Sequence, residues 1–421
     1  MPLWTRSPRY ILLGLLLLCS LTLTLWRGAD LPYIDERDYQ ALAINVAEGR
    51  GYVEGEDFHV TAYRPPGYPF VLAALFKIHP SPILPKVING LALFGIALVL
   101  MAFTQRVLPK AANWVPVLVL LNPLALYSAS TLYPQIFGSL LFLSSLYLLT
   151  FYRSHRWALA LAGLLYGYLV LTIPSFLYIA PFVALYLWLE GRWPTLASTL
   201  RTSLFCLCMI LVVAPWTYRN WVQLQAIVPV STNGGVNLLY GNSENTRYNT
   251  GGDLDIDAYK VIGFTLSEVD ADRYYKESAL KWIKAHPQEA VTLYLGKFLN
   301  HFHFYNELYT AGQTSIVSKL VVFFTYYPLL LLCWMRWRWR GQISMTRVEQ
   351  FVMVLYVINA LLSAIFFTRL RFRIPFDLTL IPLAAIALQL LWEKYGHKLR
   401  LHRRVAQNVT NGCDETKTSA S

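Results

Sequence analysis

Residues 32–69, PYIDERDYQALAINVAEGRGYVEGEDFHVTAYRPPGYP, follow directly on the first strongly apolar run of the chain. That run, residues 10–26, is long enough to cross a bilayer. The polar stretch opens with three carboxylates, Asp35, Glu36 and Asp38. Carboxylates this close to a membrane surface cost free energy unless they face water, a cation or a substrate. The stretch therefore predicts a functional site at a membrane surface.

The composition sets the class of protein. The chain is 56% hydrophobic and only 14% charged, unlike a soluble domain. Apolar runs of spanning length recur along most of the sequence, which predicts an all-α polytopic membrane protein. The net charge of +12 does not indicate a nucleic-acid partner, because the Lys and Arg residues fall mostly in short connections between apolar runs.

The apolar runs predict about ten transmembrane helices: residues 10–27, 83–104, 112–129, 131–151, 157–172, 174–190, 200–218, 315–335, 349–367 and 374–392. Basic residues lie on one side of them, which the positive-inside rule assigns to the cytoplasm. We expect both termini to be cytoplasmic, the first helix to be a retained anchor, and residues 394–421 to form a basic and then polar tail. Residues 28–82 and 219–314 are then the two larger extracytoplasmic segments.

Three arginines break the charge pattern. Arg369, Arg371 and Arg373 lie between the last two predicted spans, on the outer side, with no acidic residue among them. They could anchor lipid headgroups, or they could bind phosphate, for which the planar guanidinium group supplies two parallel hydrogen bonds. In an extended loop Arg371 and Arg373 would point to the same side and reach one phosphate together.

An ordered set of motifs resembles a known family. The chain carries D-E-x-x-Y-x-x-x-A from Asp35, G-x-G-Y from Gly49, R-P-P-G-Y-P from Arg64, N-P at Asn122, P-W-x-x-R-N from Pro215, S-T-N-G-G-x-N from Ser231 and R-x-R-x-P from Arg371. Each motif alone is weak, but their order resembles the bacterial membrane glycosyltransferases of the dolichyl-phosphate-mannose–protein mannosyltransferase and lipid A aminoarabinose transferase superfamily. The resemblance implies the GT-C fold for residues 1–393 and an inner-membrane location.

The resemblance also implies a function. It implies inverting transfer of a sugar from a polyprenyl-phosphate donor to a lipid, glycan or protein hydroxyl outside the membrane. By the same resemblance Asp35 is the catalytic base, and Glu36 supports it or binds acceptor or metal. The donor-phosphate candidates are Arg371 and Arg373, with Arg64, Lys297 and Arg369 as further cations.

Two positions depart from the family pattern. Gln135 stands where many relatives carry an acid after Tyr-Pro, and Ile173 stands where relatives often have Arg before a proline. The first departure removes a second carboxylate. We therefore expect no required cofactor and assign no metal ligands, although a divalent metal is compatible with the family. Asp253, Asp255 and Asp257 lack the glycine and distal glutamate of a calcium loop, which favours a solvated loop.

Alternative interpretations remain open from the residues alone. Asp35 and Glu36 could cap a helix over residues 39–46 and favour its dipole, which is compatible with catalysis. A transporter or flippase of a lipid-linked or anionic solute is the alternative function, and it should show charges at the membrane midplane. A ligase that transfers a whole lipid-linked glycan is a third. The predicted spans carry almost no charge, which favours chemistry at the membrane surface.

Overall fold

A computed structural model of the chain describes residues 8–189, 193–252, 254–306 and 315–418, and the side chains of residues 9 to 395 within those ranges. In order, the elements are α1 (Pro8–Arg27), α2 (Ile34–Ala47), β1 (Val53–Glu54), β2 (His59–Val60), α3 (Gly67–Ile78), α4 (Ile83–Val107), a 3-10 helix (Pro109–Trp114), α5 (Val115–Leu120), α6 (Pro123–Ala129), α7 (Gln135–Phe151), α8 (Arg156–Thr172), α9 (Phe176–Trp188), α10 (Leu196–Leu224), α11 (Gly234–Gly241), α12 (Asp257–Gly263), α13 (Glu268–Ala285), α14 (Pro287–His301), α15 (Ile316–Arg338), α16 (Arg347–Ile365) and α17 (Leu370–Thr418).

The apolar helices agree with the prediction of a polytopic membrane protein. Among the described residues six helices are long and apolar enough to cross a membrane: α1, α4, α10, α15, α16 and the part of α17 up to Tyr395. A bent pair, Pro109–Leu120 with Pro123–Ala129, would make a seventh. The other three predicted spans coincide with the shorter apolar helices α7, α8 and α9. All ten predicted segments are therefore helical, but only six or seven of them are long and apolar enough to cross a membrane.

Close helix packing holds the bundle together. Gly163 and Gly167 of α8 form a G-x-x-x-G pattern, which lets a neighbouring helix backbone approach. An added Cβ at Gly167 would lie 2.6 Å from the carbonyl oxygen of Met209 in α10, and one at Gly163 would collide with the carbonyl of Phe205. Among the spanning helices α17 is the most enclosed, because 83% of the residues in its most apolar stretch are buried. The helix is half-buried at Leu370 to Phe372 and enclosed in the bundle from Arg373 onward.

The two segments predicted to be extracytoplasmic, here called the first and second outer segments, are both folded. The first contains α2, the antiparallel β1–β2 hairpin and α3. The second carries α11 to α14 around a small apolar cluster that includes Leu239, Ile256 and Ala279. Helix α13 begins with an S-x-x-D cap, in which Ser267 Oγ accepts a hydrogen bond from the Asp270 amide at 3.2 Å. Asp253 of the acidic triplet lies outside the described residues.

The expectation of an extended loop at Arg371 and Arg373 is wrong. Helix α17 begins at Leu370, so both arginines lie in its first turns. On a helix two residues at i and i+2 point about 200° apart, so the two guanidinium groups diverge. The helix is favoured here because Arg373 pairs with Asp377 one turn later, Nε–Oδ2 3.1 Å.

The spanning helices also contain buried charges that the apolar pattern concealed. Arg373 and Asp377 pair near the start of α17, and Arg336 at the end of α15 pairs with Glu349 in the first turn of α16 at 2.7 Å. Glu349 also accepts a hydrogen bond from the amide of Thr346 as part of a capping box. These charges lie within the first or last two turns of their helices. Each has an opposite charge beside it, as buried ions require.

Candidate active site

Helix α2 carries the acidic cluster predicted from the sequence. It begins at Ile34 rather than at residue 39, so Asp35 and Glu36 lie inside its first turn, where negative charge is favourable. Glu36 is fully buried. Its Oε2 accepts a hydrogen bond from the Tyr33 amide at 3.2 Å, and its Oε1 accepts one from the Leu132 amide at 2.7 Å. Glu36 thus fixes the start of α2 against the segment before α7.

Asp35 lies at the meeting point of three parts of the chain. Its Oδ1 accepts a hydrogen bond from Arg64 Nη2 at 2.7 Å, and its Oδ2 forms an ion pair with Arg371 Nη1 at 2.7 Å. The Tyr133 hydroxyl donates to the same Oδ2 at 3.2 Å. The first outer loop, the segment before α7 and the start of α17 therefore converge on one carboxylate.

The two arginines control the ionisation of Asp35. Burial opposes its negative charge, but the Coulombic attraction of Arg371 and Arg64 and their hydrogen bonds outweigh burial and lower its pKa to about 2. Asp35 is therefore ionised at neutral pH in the free protein. Both of its oxygens are engaged, so a proton acceptor is present but occupied.

The two arginines differ in their surroundings and in their exposure. Arg64 also pairs with Asp38, and its guanidinium lies 5.7 Å from the centre of the Tyr39 ring. Arg371 lies 4.7 Å over the ring of Tyr133 and keeps 36% of its side-chain surface exposed, against 15% for Arg64. Two partly accessible guanidinium groups on opposite sides of one carboxylate form a site that can accept a phosphate by exchanging partners.

Arg373 does not join the cluster of Asp35, Arg64 and Arg371. Its side chain is 1% exposed. Besides Asp377 it donates to the carbonyls of His301 and His303, and its guanidinium lies 3.6 Å over the ring of Tyr326. These contacts tie the end of α14 to α17 and leave Arg373 a packing role in the described geometry. Its predicted contact with donor phosphate has no support in this arrangement.

Lys297 is likewise enclosed. It is 1% exposed, and its Nζ donates to the carbonyls of Gly241 at 2.8 Å and Phe366 at 2.9 Å. Burial alone lowers its pKa to about 7. It thereby joins α14 to the last carbonyls of α11 and to the turn that leads into α17. Lys297 holds the turn that precedes Arg371, rather than facing the cluster around Asp35.

Arg369 is the third cation outside the cluster. It is 9% exposed and lies against Gly251, where an added Cβ would collide with the guanidinium group. Its Nη1 also approaches the carbonyl of Asn249 at 3.5 Å. Arg369 therefore contacts the second outer segment, whereas Arg371 contacts Asp35.

The loop that carries Arg64 is held from the second outer segment. Glu268 accepts hydrogen bonds from Thr61 Oγ1 at 2.6 Å and from the Ala62 amide at 2.8 Å. Arg219 donates to the carbonyls of Thr61 and Tyr52 at 2.8 and 2.9 Å. These contacts fix the backbone just before Arg64 and so orient its guanidinium toward Asp35.

Two members of the cluster around Asp35 were not predicted from the sequence. Tyr133 was noted only as part of a Tyr-Pro pair, yet its ring and hydroxyl contact both Arg371 and Asp35. Asp38 was noted as acidic but not as the second partner of Arg64. In the part of the chain that the structure describes, no three His, Cys, Asp or Glu side chains come together as a metal-binding group.

The fold matches known membrane transferases. ArnT from Cupriavidus metallidurans bound to undecaprenyl phosphate is similar with a TM-score of 0.58 and 12% identity, over 96% of this chain and 64% of that one. The apo form of that ArnT gives a TM-score of 0.58 and 14% identity, over 94% and 63% of the two chains. The Archaeoglobus fulgidus oligosaccharyltransferase in the apo form gives 0.57 and 12%, over 96% and 52%.

These similarities confirm the predicted GT-C fold of a multi-pass membrane protein. The chain spans between about half and just under two thirds of the lengths of these proteins. No protein-family model matches the chain, and no curated protein matches it significantly. The similarity of the chain to these proteins is therefore one of fold.

Proposed function

We propose that this protein is an inverting glycosyltransferase that moves a sugar from a polyprenyl-phosphate donor to a hydroxyl of a cell-envelope acceptor on the extracytoplasmic side. The observation that carries the proposal is Asp35 held between Arg64 and Arg371 at the start of the spanning helix α17. The GT-C fold supports it, since one structure with that fold is of an ArnT bound to undecaprenyl phosphate.

The cluster supplies both groups that the reaction needs. The acceptor oxygen attacks the anomeric carbon, the bond from that carbon to the phosphate oxygen breaks, and the polyprenyl phosphate leaves with the bonding electrons. Asp35 takes the proton of the acceptor hydroxyl. Arg64 and Arg371 stabilise the charge that develops on the phosphate. A phosphate leaves readily, so no general acid is needed, in contrast to hydrolysis of an ordinary glycoside.

Donor binding activates the base in this proposal. In the free protein the two arginines occupy both oxygens of Asp35 and hold its pKa at about 2. A donor phosphate competes for the same guanidinium groups, and Arg371 is the more exposed of the two. Once Arg371 turns to the phosphate, Asp35 loses a positive neighbour and gains a negative one. Both changes raise its pKa and free an oxygen for the acceptor.

The alternative of a transporter draws less support. A transporter places unpaired or relay charges near the membrane midplane. The described buried pairs, Arg373–Asp377 and Arg336–Glu349, lie in the first or last two turns of their helices, and each is internally neutral. Asp35 and its arginines lie at the membrane surface, where a lipid-linked donor would present its phosphate.

The proposal is tested with the full chain purified into liposomes. Synthetic polyprenyl-phosphate sugars are supplied together with envelope extracts from cells that lack the gene, and release of polyprenyl phosphate is measured. Wild-type protein should release it with a matching mass increase on an envelope component, and Asp35→Asn should not. The mass increase separates one sugar from a whole glycan. Donor that crosses the bilayer unchanged, without release, would instead identify a flippase.

A further inference from the structure

A pocket lies in the second outer segment, beside α14. Its volume is 320 Å³, within the range of small-molecule sites. The lining residues come from the chain around Tyr248, from the last turns of α14 and from the segment that follows it: Tyr248, Asn249, Gly296, Leu299, Asn300, His303 and Tyr305. None of these residues belongs to the cluster around Asp35.

The lining has the chemistry of a carbohydrate site. Tyr248, His303 and Tyr305 supply aromatic faces with polar edges, which suit the alternating apolar and hydroxyl faces of a sugar ring. Asn249 and Asn300 carry amides, which both donate and accept hydrogen bonds and so match hydroxyl groups. Among the described lining residues none is Asp, Glu, Lys or Arg. The pocket therefore favours an uncharged polyhydroxylated ligand over the phosphate of the donor.

The walls of the pocket are fixed by their own contacts. Tyr248 packs directly on α14 at Gly296, where an added Cβ would come within 2.8 Å of the tyrosine Cβ. The centre of the Tyr305 ring lies 4.4 Å from that of His303 and 4.4 Å from Lys319 Nζ. Aromatic side chains held in this way lose little conformational entropy when a ligand binds.

The pocket is joined to the candidate active site by the turn between α16 and α17. Asn300 Nδ2 donates to Thr368 Oγ1 at 2.8 Å, and the carbonyl of Asn249 lies 3.5 Å from Arg369 Nη1. Thr368 is three residues before Arg371, which pairs with Asp35. Three residues span at most about 11 Å of backbone, so the short turn that bounds the pocket also leads to Arg371.

We propose that this pocket is an acceptor subsite that binds a neutral sugar unit of a glycan while a neighbouring unit presents its hydroxyl to Asp35. This inference rests on the proposed transferase function and specifies its acceptor class as a carbohydrate chain. The donor phosphate and the acceptor sugar are then recognised on different sets of residues. The charged cluster binds the phosphate, and the uncharged pocket binds the sugar.

The test measures sugar binding directly. Full-length protein in nanodiscs is titrated with a panel of neutral disaccharides, α- and β-linked dimers of glucose, galactose and mannose, and binding is followed by saturation-transfer NMR. Two variants alter the pocket: Tyr248→Ala removes a wall, and Leu299→Trp fills it from a position that is 68% exposed. Phe264→Ala is the matched control, because Phe264 is an exposed aromatic residue of the same outer segment and is not part of the pocket lining.

We expect at least one disaccharide to bind wild-type and Phe264→Ala protein equally, and to bind the two pocket variants about tenfold more weakly, as loss of an aromatic contact implies. Asp35→Asn should keep sugar binding while losing transfer. Binding by no disaccharide of the panel, or equal binding by both pocket variants, overturns the acceptor subsite. Sugar binding in a wild-type protein that turns over no donor would instead overturn the transferase proposal and leave the pocket as a sugar-binding site without an acceptor role.

Discussion

Arg371 and Asp35 form an ion pair of 2.7 Å that joins the first turn of the last spanning helix to the first turn of α2. The two residues come from opposite ends of the chain, so the pair exists only in the folded protein. Because α17 is buried in the bundle, its first turn holds Arg371 in place with little freedom. Arg64 completes the arrangement from the first outer loop. The charges needed to bind a phosphate and to accept a proton thus lie within one cluster.

We expect Asp35→Asn to abolish transfer while membrane insertion and fold are kept. The amide has the size of the carboxylate but cannot accept the acceptor proton, and loss of a general base costs on the order of a hundred- to ten-thousandfold in rate. Turnover with a synthetic polyprenyl-phosphate sugar measures the effect. Glu56→Gln is the control, because Glu56 is an exposed carboxylate of the same segment outside the cluster. Near-normal turnover by Asp35→Asn would place the base elsewhere.

We expect residues 28–82 and 219–314 to lie outside the cytoplasmic membrane and both termini to lie inside, as the distribution of Lys and Arg indicates. Cysteine substitutions at Val60, 37% exposed, and at Asp257 should react with a membrane-impermeant thiol reagent in intact cells. A cysteine at Gln342, between α15 and α16, should react only after lysis. Protection of Val60 or Asp257 in intact cells would reverse the orientation and the side of the proposed reaction.

The class of protein was predictable because the signals are local. Apolar runs of spanning length and the order of short motifs can be recognised without knowledge of tertiary contacts. They led to the prediction of the GT-C fold and of Asp35, Arg64 and Arg371 as site residues. The directions of side chains were not predictable in the same way. Once α17 begins at Leu370, Arg373 turns away from Arg371 toward Asp377. Only the three-dimensional structure reveals where that helix starts.

Lys297 is a second residue whose contacts could not be predicted from the sequence. A lone lysine in a polar segment is usually solvated, and nothing in its neighbours predicts that it reaches the carbonyls of Gly241 and Phe366. Those acceptors are ends of helices distant in sequence. The carbonyls at a helix end lack partners within the helix, so a buried cation can satisfy them. The role of a residue that joins such helix ends is therefore visible only in the folded structure.

We expect Lys297→Met to destabilise the fold rather than to weaken donor binding selectively. Methionine keeps the length of the side chain but leaves the two carbonyls without their donor, at a cost of about 1–3 kcal/mol each where no water replaces it. Thermal denaturation of the purified protein measures the loss, and donor titration below the transition should give a near wild-type KM. Lys284→Met, at an exposed position of α13, is the control. A raised donor KM with unchanged thermal stability would restore Lys297 as a phosphate ligand.

We expect Lys substitutions at Arg371 and Arg373 to have different effects. Arg371→Lys keeps the charge but loses the planar fork, which should raise the donor KM about tenfold or more. Arg373→Lys should leave the donor KM unchanged and lower the melting temperature, because its guanidinium bonds Asp377 and the carbonyl of His301. Donor titrations and thermal denaturation of both variants separate the two roles. Unchanged donor dependence in Arg371→Lys would exclude the phosphate contact.

The pH dependence of the reaction tests whether donor binding frees the base. In the free protein Asp35 has a pKa lowered from 3.8 to about 2, so its ion pairs contribute stability above pH 3.8 that is lost as the pH falls through 2. Exchange of Arg371 from Asp35 to a donor phosphate raises this pKa in the complex. The acid limb of kcat/KM reports the free enzyme and that of kcat reports the complex.

We therefore expect the acid limb of kcat to lie at a higher pH than that of kcat/KM. Initial rates across the acidic range, at saturating and at low donor concentration, measure both limbs. The Arg371→Ala variant removes the exchange, so its Asp35 should already have a raised pKa in the free enzyme and its two limbs should approach each other. Coincident limbs in the wild-type protein would show that the Asp35–Arg371 pair persists through the reaction. The base would then have to act without release from its arginine.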